Sequence, residues 1–184
     1  MDDRIFNLIA TSAFGLEGMI SGELKRLNMK NVIAGNGFVR FSGNISDAYF
    51  CNLRSRFADR IMILLAETSV RSFDELFRLV DSISWETLMN GTEKINISCK
   101  CARSQLMSQS ACQSIAKKAV IEHLKKKTGR KVFPESGAAF PIHISLHQDI
   151  ARIMLDTTGE GLSRRGYRTW NGEAPLRETL AAAL

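Results

Sequence analysis

The order of short apolar segments in residues 1–66 constrains the fold of this chain more than any other feature of the sequence. An apolar run opens the chain at Arg4–Ala10 and another closes this stretch at Ile61–Ala66, wholly apolar as in a strand buried on both faces. Between them, Asn36-Gly37 is a strong signal for a tight turn joining two strands. Apolar spacing predicts two helices, marked by Leu16, Ile20, Leu24 and Leu27 in the first and by Tyr49, Phe50 and Leu53 in the second. We expect Ser46 to cap the second helix.

The resulting order is strand, helix, strand, strand, helix, strand, the arrangement called ferredoxin-like. We therefore predict that residues 1–68 form one βαββαβ unit. Three arginines, Arg54, Arg56 and Arg60, flank the last connection between helix and strand. We interpret them as solvated surface side chains, with contact to phosphate as the alternative.

A second unit is predicted over residues 69–158, again with helices and strands, so the fold class is α+β. Ser72 and Glu75 have the spacing of a capping box at the start of a helix. The remaining elements follow from apolar alternation or helical spacing, and they are a strand at Lys94–Cys101, a helix at Ser108–Lys127 and a hairpin of Ile142–Leu146 with Ala151–Leu155.

The four cysteines do not form a disulfide framework in a chain of 184 residues. Cys99 and Cys101 share the aliphatic face of their predicted strand, so they are interpreted as small core residues. With only Cys112 nearby, the paired spacing of a zinc site is missing, and we expect no metal. His143 and His147 lie on the polar face of the hairpin and are interpreted as ordinary surface residues.

Positive charge is concentrated in one part of the chain. Residues 100–131 carry nine lysines and arginines against Glu122 alone, a net charge of +8, whereas the whole chain has a net charge of +6 and a pI of about 9.4. Such an asymmetric basic surface is typical of nucleic-acid binding, with a solvated lysine face as the alternative. A membrane-surface helix fits less well, because the apolar stripe of the helix lacks large side chains.

The polar segment that precedes the basic helix suits contact with phosphate, because short donors near a helix start bind anions well. We predict an RNA-binding surface made of Lys100, Arg103, Ser104, Gln105, Ser108, Gln109, Lys117, Lys118 and Lys125.

The last stretch, Gly159–Leu184, combines arginines with an apolar helical pattern that has no stop signal. The helix at Leu176–Leu184 is predicted either to dock on a part of the protein not included here or to fold back on the core of this chain. Arg164, Arg165 and Arg168 either extend the RNA-binding surface or fix the linker by ion pairs.

Other classes of function are not supported by the sequence. It contains no phosphate-binding Gly-rich loop, no dinucleotide fingerprint, no zinc-protease motif and no nucleophile elbow, so we expect no catalytic centre in these residues. Asp2 and Asp3 do not fit a secretory signal, and no apolar run is long enough to span a bilayer. We expect a cytoplasmic protein.

Five segments carry a resemblance to a known family: GLE at 15–17, Arg56–Leu65, Ile83-Ser84-Trp85, Asp156–Arg168 and Ala174–Leu184. Together they resemble the bacterial large-subunit ribosomal RNA guanine-N2 methyltransferases that carry a THUMP domain. The resemblance implies an N-terminal ferredoxin-like subdomain (1–68), an RNA-binding THUMP domain (69–158), and a linker with the start of the methyltransferase domain (159–184). It also implies 23S ribosomal RNA as the partner and S-adenosylmethionine as the cofactor of the intact protein, bound beyond this chain.

Two alternatives remain open. The same pair of small domains precedes the catalytic part of the tRNA 4-thiouridine synthases, so the chain is alternatively the RNA-binding part of a tRNA-modifying enzyme. A non-enzymatic module that binds a ligand or a protein is the second alternative.

Overall fold

The computed structural model describes residues 4–166, 169 and 175–184. These residues divide into two compact units, one made of Met1–Leu64 and Asp156–Leu184 and the other of Leu65–Leu155. We call them unit 1 and unit 2. Strands and helices mix in both, which confirms the α+β class.

Unit 1 has the predicted ferredoxin-like order of elements. They are β1 (Phe6–Thr11), α1 (Glu17–Arg26), β2 (Lys30–Ala34), β3 (Phe38–Gly43), α2 (Ile45–Arg54) and β4 (Arg60–Ser69). The sheet order is β2-β3-β1-β4, and every pairing within it is antiparallel. The turn before β3 contains Gly37 at φ +78°, a left-handed conformation that explains the Asn-Gly signal.

The predicted cap of α2 is wrong by two residues. Asn44, not Ser46, precedes the helix in extended conformation, and its side-chain oxygen accepts the Asp47 N–H at 2.9 Å. The Asp47 carboxylate accepts the Asn44 N–H at 2.9 Å in return, so the two residues form a capping box. Asn caps helices as well as Ser does. A cap at position 44 also has an acidic residue, Asp47, three residues later, as a capping box requires.

Unit 2 contains the predicted helices, strand and hairpin. They are α3 (Phe73–Asp81), a 3-10 turn (Trp85–Thr87), β5 (Lys94–Ala102), α4 (Gln109–Thr128), β6 (Ala139–His147) and β7 (Ile150–Asp156). Strand β5 runs parallel to β6, and β6 runs antiparallel to β7. The turn between β6 and β7 consists of Gln148 and Asp149 at φ +51° and +60°, as in a two-residue hairpin turn.

The core of unit 2 lies between its sheet and helices α3 and α4. Trp85 is fully buried there, and its indole N–H donates to the Val80 carbonyl at 2.8 Å. Helix α3 begins at Ser72, whose hydroxyl oxygen accepts the Glu75 N–H at 3.2 Å. The predicted reciprocal bond is wrong, because the Glu75 carboxylate accepts the N–H of Arg71 instead.

Helix α4 is the longest helix among the described residues and contains four of the predicted RNA-binding residues, Gln109, Lys117, Lys118 and Lys125. Ser108 caps its start, and Gly129 ends it in the left-handed conformation at φ +68°. Its buried side is made of Cys112, Ala116, Ala119, Val120, His123 and Leu124. None of the helices in the described part of the chain is long and apolar enough to cross a membrane.

Candidate nucleic-acid interface

The loop between β5 and α4 is held in place by the turn between β6 and β7. Asp149 accepts the Gln105 N–H on its carboxylate at 2.8 Å, and its own N–H donates to the Ser104 hydroxyl oxygen at 2.8 Å. The guanidinium of Arg71 lies 3.6 Å from the same carboxylate. These bonds hold the loop at Ser104 and Gln105.

Ser104 differs from the other predicted contact residues in this loop. Its side chain is buried, and its hydroxyl oxygen already accepts from Asp149, so it supports the loop from inside. Arg103, Gln105 and Ser108 are exposed around it. Arg103 has a left-handed backbone, φ +51°, and leaves the strand direction there.

Two of the predicted lysines lie on the same exposed side of α4. Lys118 and Lys125 are seven residues apart, which is nearly two helical turns or about 10 Å along the axis. Lys118 makes one ion pair, 3.8 Å to Glu122 within the helix. An exposed pair of this kind stabilises a helix by a few tenths of a kcal/mol and gives way easily to a stronger anion.

Lys117 makes a closer ion pair than Lys118 does. Its Nζ lies 2.6 Å from the Glu135 carboxylate, and its side chain is only 40% exposed. It lines an open groove of about 330 Å³ between α4 and β5, the strand at the end of the sheet of unit 2. The other groove residues are Ile95, Asn96, Ile97, Gln113 and Ser114.

Asn96, Gln113 and Ser114 are candidate contacts that sequence reasoning missed. Their amides and hydroxyl offer both donors and acceptors, which suits a ribose or a base edge. Asn96 and Gln113 belong to different elements, so only the packing of β5 on α4 brings them together. The only signal in the sequence is that Asn96 falls on the polar face of β5.

Among the arginines of the last stretch, Arg165 has side-chain contacts within unit 1. Arg165 donates to the carbonyl oxygens of Leu53 and Ser55, at 3.4 and 2.5 Å, and its N–H points to the Glu178 carboxylate. Arg164 is exposed, and its backbone N–H donates to Gly161 O. Arg168, also predicted to bind RNA, lies outside the described residues.

Arg60 is a structural residue, so its interpretation as a solvated surface arginine is wrong. Its guanidinium pairs with the buried Asp156 carboxylate and donates to the Gly159 carbonyl at 2.8 Å. Asp156 also accepts the Thr158 N–H at 2.8 Å. The pair joins Arg60, the first residue of β4, to Asp156, the last residue of β7, and both residues belong to unit 1.

The C-terminal helix α5 (Glu178–Ala181) folds back on unit 1. Thr179 is buried, and its hydroxyl donates to the Asp59 carboxylate at 2.8 Å. Arg177 lies 3.7 Å from the same carboxylate. Leu176 and Leu184 stay exposed, so the helix buries only part of its apolar surface against this chain.

The histidines predicted to lie on the surface of the hairpin are half-buried. His143 Nδ1 lies 2.6 Å from the Ser98 hydroxyl across the β5–β6 pair. The buried histidine of the chain is His123, which contacts the Asp81 carbonyl through Nδ1 and the Glu86 carboxylate through Nε2, both at 2.7 Å. That hydrogen bond is the largest cause of the lowered pKa of Glu86.

Two family descriptions match the chain in sequence. Residues 7–62 match the RlmL ferredoxin-like domain, and residues 70–156 match the THUMP domain. A Bacillus subtilis protein named putative RNA methyltransferase YpsC is 39% identical over 181 residues, which are 97% of this chain and 47% of that protein. The ribosomal RNA large subunit methyltransferase K/L of Magnetococcus marinus is 32% identical over 183 residues, 98% of this chain and 25% of that protein.

Solved structures of two longer proteins contain the same fold. A predicted N6-adenine-specific DNA methylase from Listeria monocytogenes superposes with a TM-score of 0.92 at 36% identity, over 98% of this chain and 47% of that one. SMU.472, a putative methyltransferase complexed with SAH, superposes with a TM-score of 0.90 at 40% identity, over 100% and 48%. The chain therefore spans about half the length, or less, of the proteins that it resembles.

Proposed function

The chain belongs to the RlmL ferredoxin-like and THUMP domain families, and on that premise we propose that it is the RNA-binding part of an S-adenosylmethionine-dependent RNA methyltransferase. The names of its relatives support methyl transfer to RNA. The SAH bound by a similar but longer protein supports S-adenosylmethionine as the methyl donor. The cofactor then binds to the remainder of the longer protein, and this chain binds none.

Large-subunit ribosomal RNA is the proposed substrate, and the exocyclic N2 of a guanine is the proposed acceptor. The first part is supported by the relatives named ribosomal RNA large subunit methyltransferase K/L. The second rests on the sequence resemblance to guanine-N2 methyltransferases. The same proposal implies a cytoplasmic location, because ribosomal RNA is matured in the cytoplasm of bacteria.

The observation that carries RNA binding is the exposed basic side of unit 2. Lys100, Arg103, Lys118 and Lys125 are exposed, and the one ion pair among them in the described part of the chain is Lys118 to Glu122. We propose that these four residues, with Gln105, Ser108 and Gln109, contact phosphate and ribose. Lys117 serves the adjoining groove, where displacement of Glu135 by a phosphate frees its ammonium group.

Arg164, Arg165 and Arg168 have a different proposed role. Arg165 donates hydrogen bonds to the carbonyls of Leu53 and Ser55. These bonds support a role in fixing the linker on unit 1 rather than in binding RNA. Contacts to RNA are therefore concentrated on unit 2. Because no aromatic side chain stands among the four exposed basic residues to stack on bases, we expect recognition of the backbone with weak sequence preference.

The salt dependence of RNA binding tests this proposal. A labelled ribosomal RNA hairpin is titrated with the chain at several salt concentrations between about 50 and 200 mM, with fluorescence anisotropy as the readout. Lys118→Gln with Lys125→Gln removes two phosphate contacts and should lower the slope of log K against log salt by about 1.5. Gln keeps the helix, because its helix propensity is close to that of Lys.

The matched control is Lys25→Gln with Lys30→Gln, two exposed lysines of unit 1. Both double variants lower the net charge of +6 by the same amount, so a general charge effect would appear in both. We expect the control to keep the wild-type slope. Equal slopes for all three proteins would show that RNA binds elsewhere, and a wild-type chain that does not bind RNA would refute the proposed function itself.

A further inference from the structure

Three cysteine sulfurs meet in unit 2 at the end of β5. Cys99 and Cys101 come from the strand and Cys112 from the first turns of α4, and their Sγ atoms all lie within 4.8 Å of one another. Cys99 and Cys112 are buried, whereas Cys101 is half-buried and gives the cluster a path to solvent. The sequence spacing hides this cluster because its third member comes from another element.

The positions of the two strand cysteines are close to those of metal ligands. Residues two apart on a strand have Cα atoms about 6.7 Å apart, yet the Sγ atoms of Cys99 and Cys101 are only 3.6 Å apart. Both side chains therefore lean toward a common point. A metal–sulfur bond of about 2.3 Å in a trigonal plane separates the sulfurs by about 4.0 Å. The three sulfurs lie within 4.8 Å of one another, so shifts of less than about 1 Å suffice for one ion.

We propose that Cys99, Cys101 and Cys112 form a trigonal thiolate site for Cu(I). Binding exchanges three protons for one ion: Cu⁺ and three thiols give a three-coordinate copper thiolate with a charge of −2 and three H⁺ in solution. No electron is transferred. The occupied site would connect the end of β5 to the beginning of α4.

The donor set favours Cu(I) over other metals. Thiolates select soft ions, and Cu(I) accepts three sulfur ligands without a fourth. Structural zinc sites use four protein ligands, but within the described residues the cluster contains only these three cysteines and no His, Asp or Glu. A disulfide is a poorer alternative, because buried thiols react slowly with oxidants.

Copper binding at these cysteines depends on pH. Cu(I) binds thiolates and displaces the thiol protons, so its affinity should rise with pH. The positive end of the α4 dipole lies at Cys112 and partly offsets the negative charge of the occupied site.

Competition for Cu(I) against a chromogenic copper(I) chelator tests the proposal. The reduced 184-residue chain is titrated without oxygen, and X-ray absorption counts the sulfurs around copper. Wild type should withdraw one Cu(I) from the chelator, with three sulfurs at a single distance. Cys112→Ser should lower the affinity about tenfold or more, because metal affinity depends on each thiolate ligand. Cys51→Ser, which removes the buried thiol of unit 1, should leave it unchanged.

Cys101→Ser provides a second test that is safer for folding, because this side chain is only half-buried. It should lose Cu(I) affinity as Cys112→Ser does while keeping the wild-type circular dichroism. The proposal is overturned by a wild type that binds no tighter than Cys101→Ser, by two sulfurs around copper instead of three, or by displacement of Cu(I) by equimolar Zn(II). None of these results depends on RNA binding, so they test the copper site independently of the proposed function.

Discussion

Glu23 is a buried acidic residue whose substitution should weaken unit 1. It is only 5% exposed, and its carboxylate accepts the Ser55 O–H at 2.6 Å and the Arg56 N–H at 3.0 Å. The Arg56 guanidinium is 3.6 Å away but mostly exposed, so its ion pair contributes little. Through these bonds, α1 holds the chain where it leaves α2 and turns into β4.

Glu23→Gln keeps the size of the side chain but leaves one acceptor oxygen for two donors. With its oxygen at the Oε2 position, Gln still accepts from the Ser55 hydroxyl, but its NH2 group then faces the Arg56 N–H in place of the oxygen that accepted it at 3.0 Å; this contact between two donors costs about 2 kcal/mol. A loss of that size raises the population of the opened unit about 30-fold, since about 1.4 kcal/mol corresponds to a factor of ten.

Amide hydrogen exchange followed by mass spectrometry measures this loss for each unit separately. The slowest amides of β1 and β3 should exchange about 30-fold faster in Glu23→Gln, whereas peptides from unit 2 should keep their rates. Glu160→Gln, an exposed acidic residue of unit 1, is the control and should change stability by less than about 0.5 kcal/mol. A Glu23→Gln protein whose unit 1 exchanges within twofold of wild type would refute this account of the buried carboxylate.

Two further stability predictions concern ion pairs. The pKa of Glu86 is lowered chiefly by its hydrogen bond to His123, so this stabilisation is present above the ordinary carboxyl pKa of 4.5 and is lost as the pH falls through the lowered value. The difference in Tm between wild type and Glu86→Gln should therefore be largest near neutral pH and vanish in acid; a constant difference would contradict the linkage. Arg60→Ala removes the guanidinium that pairs with the buried Asp156 carboxylate and should destabilise unit 1 by about 3 kcal/mol in urea denaturation. Adding Asp156→Ala should recover part of that loss, and strictly additive effects would show that the pair does not interact.

The elements that the sequence predicts well are those specified by local patterns. Helix α4 follows from apolar spacing over five turns, an N-cap Ser108 and the C-terminal Gly129, all of which act within a few residues. The hairpin of β6 and β7 follows from clean alternation on both sides of Gln148-Asp149. The left-handed turn at Gly37 likewise needs only its own sequence.

The contacts that local patterns do not predict involve partners that lie far away in the sequence. Ser104 is polar and next to exposed residues, but it is buried because Asp149, 45 residues later, donates to it. Arg60 resembles a surface arginine until Asp156, 96 residues later, is seen beside it. Cys112 joins Cys99 and Cys101 only through the packing of α4 on β5. Such contacts depend on the tertiary fold, and no local pattern encodes them.

The central claim is that this chain is the RNA-binding part of a longer RNA methyltransferase. Methyl transfer by the intact longer protein tests this claim most directly. Tritiated S-adenosylmethionine is supplied with unmodified large-subunit ribosomal RNA, total transfer RNA and duplex DNA in parallel, and the labelled nucleoside is identified after digestion. The account predicts label in large-subunit RNA as N2-methylguanosine, with the rate reduced by Lys118→Gln and Lys125→Gln. Label that enters transfer RNA or DNA instead, or a rate that the double variant leaves unchanged, would contradict it.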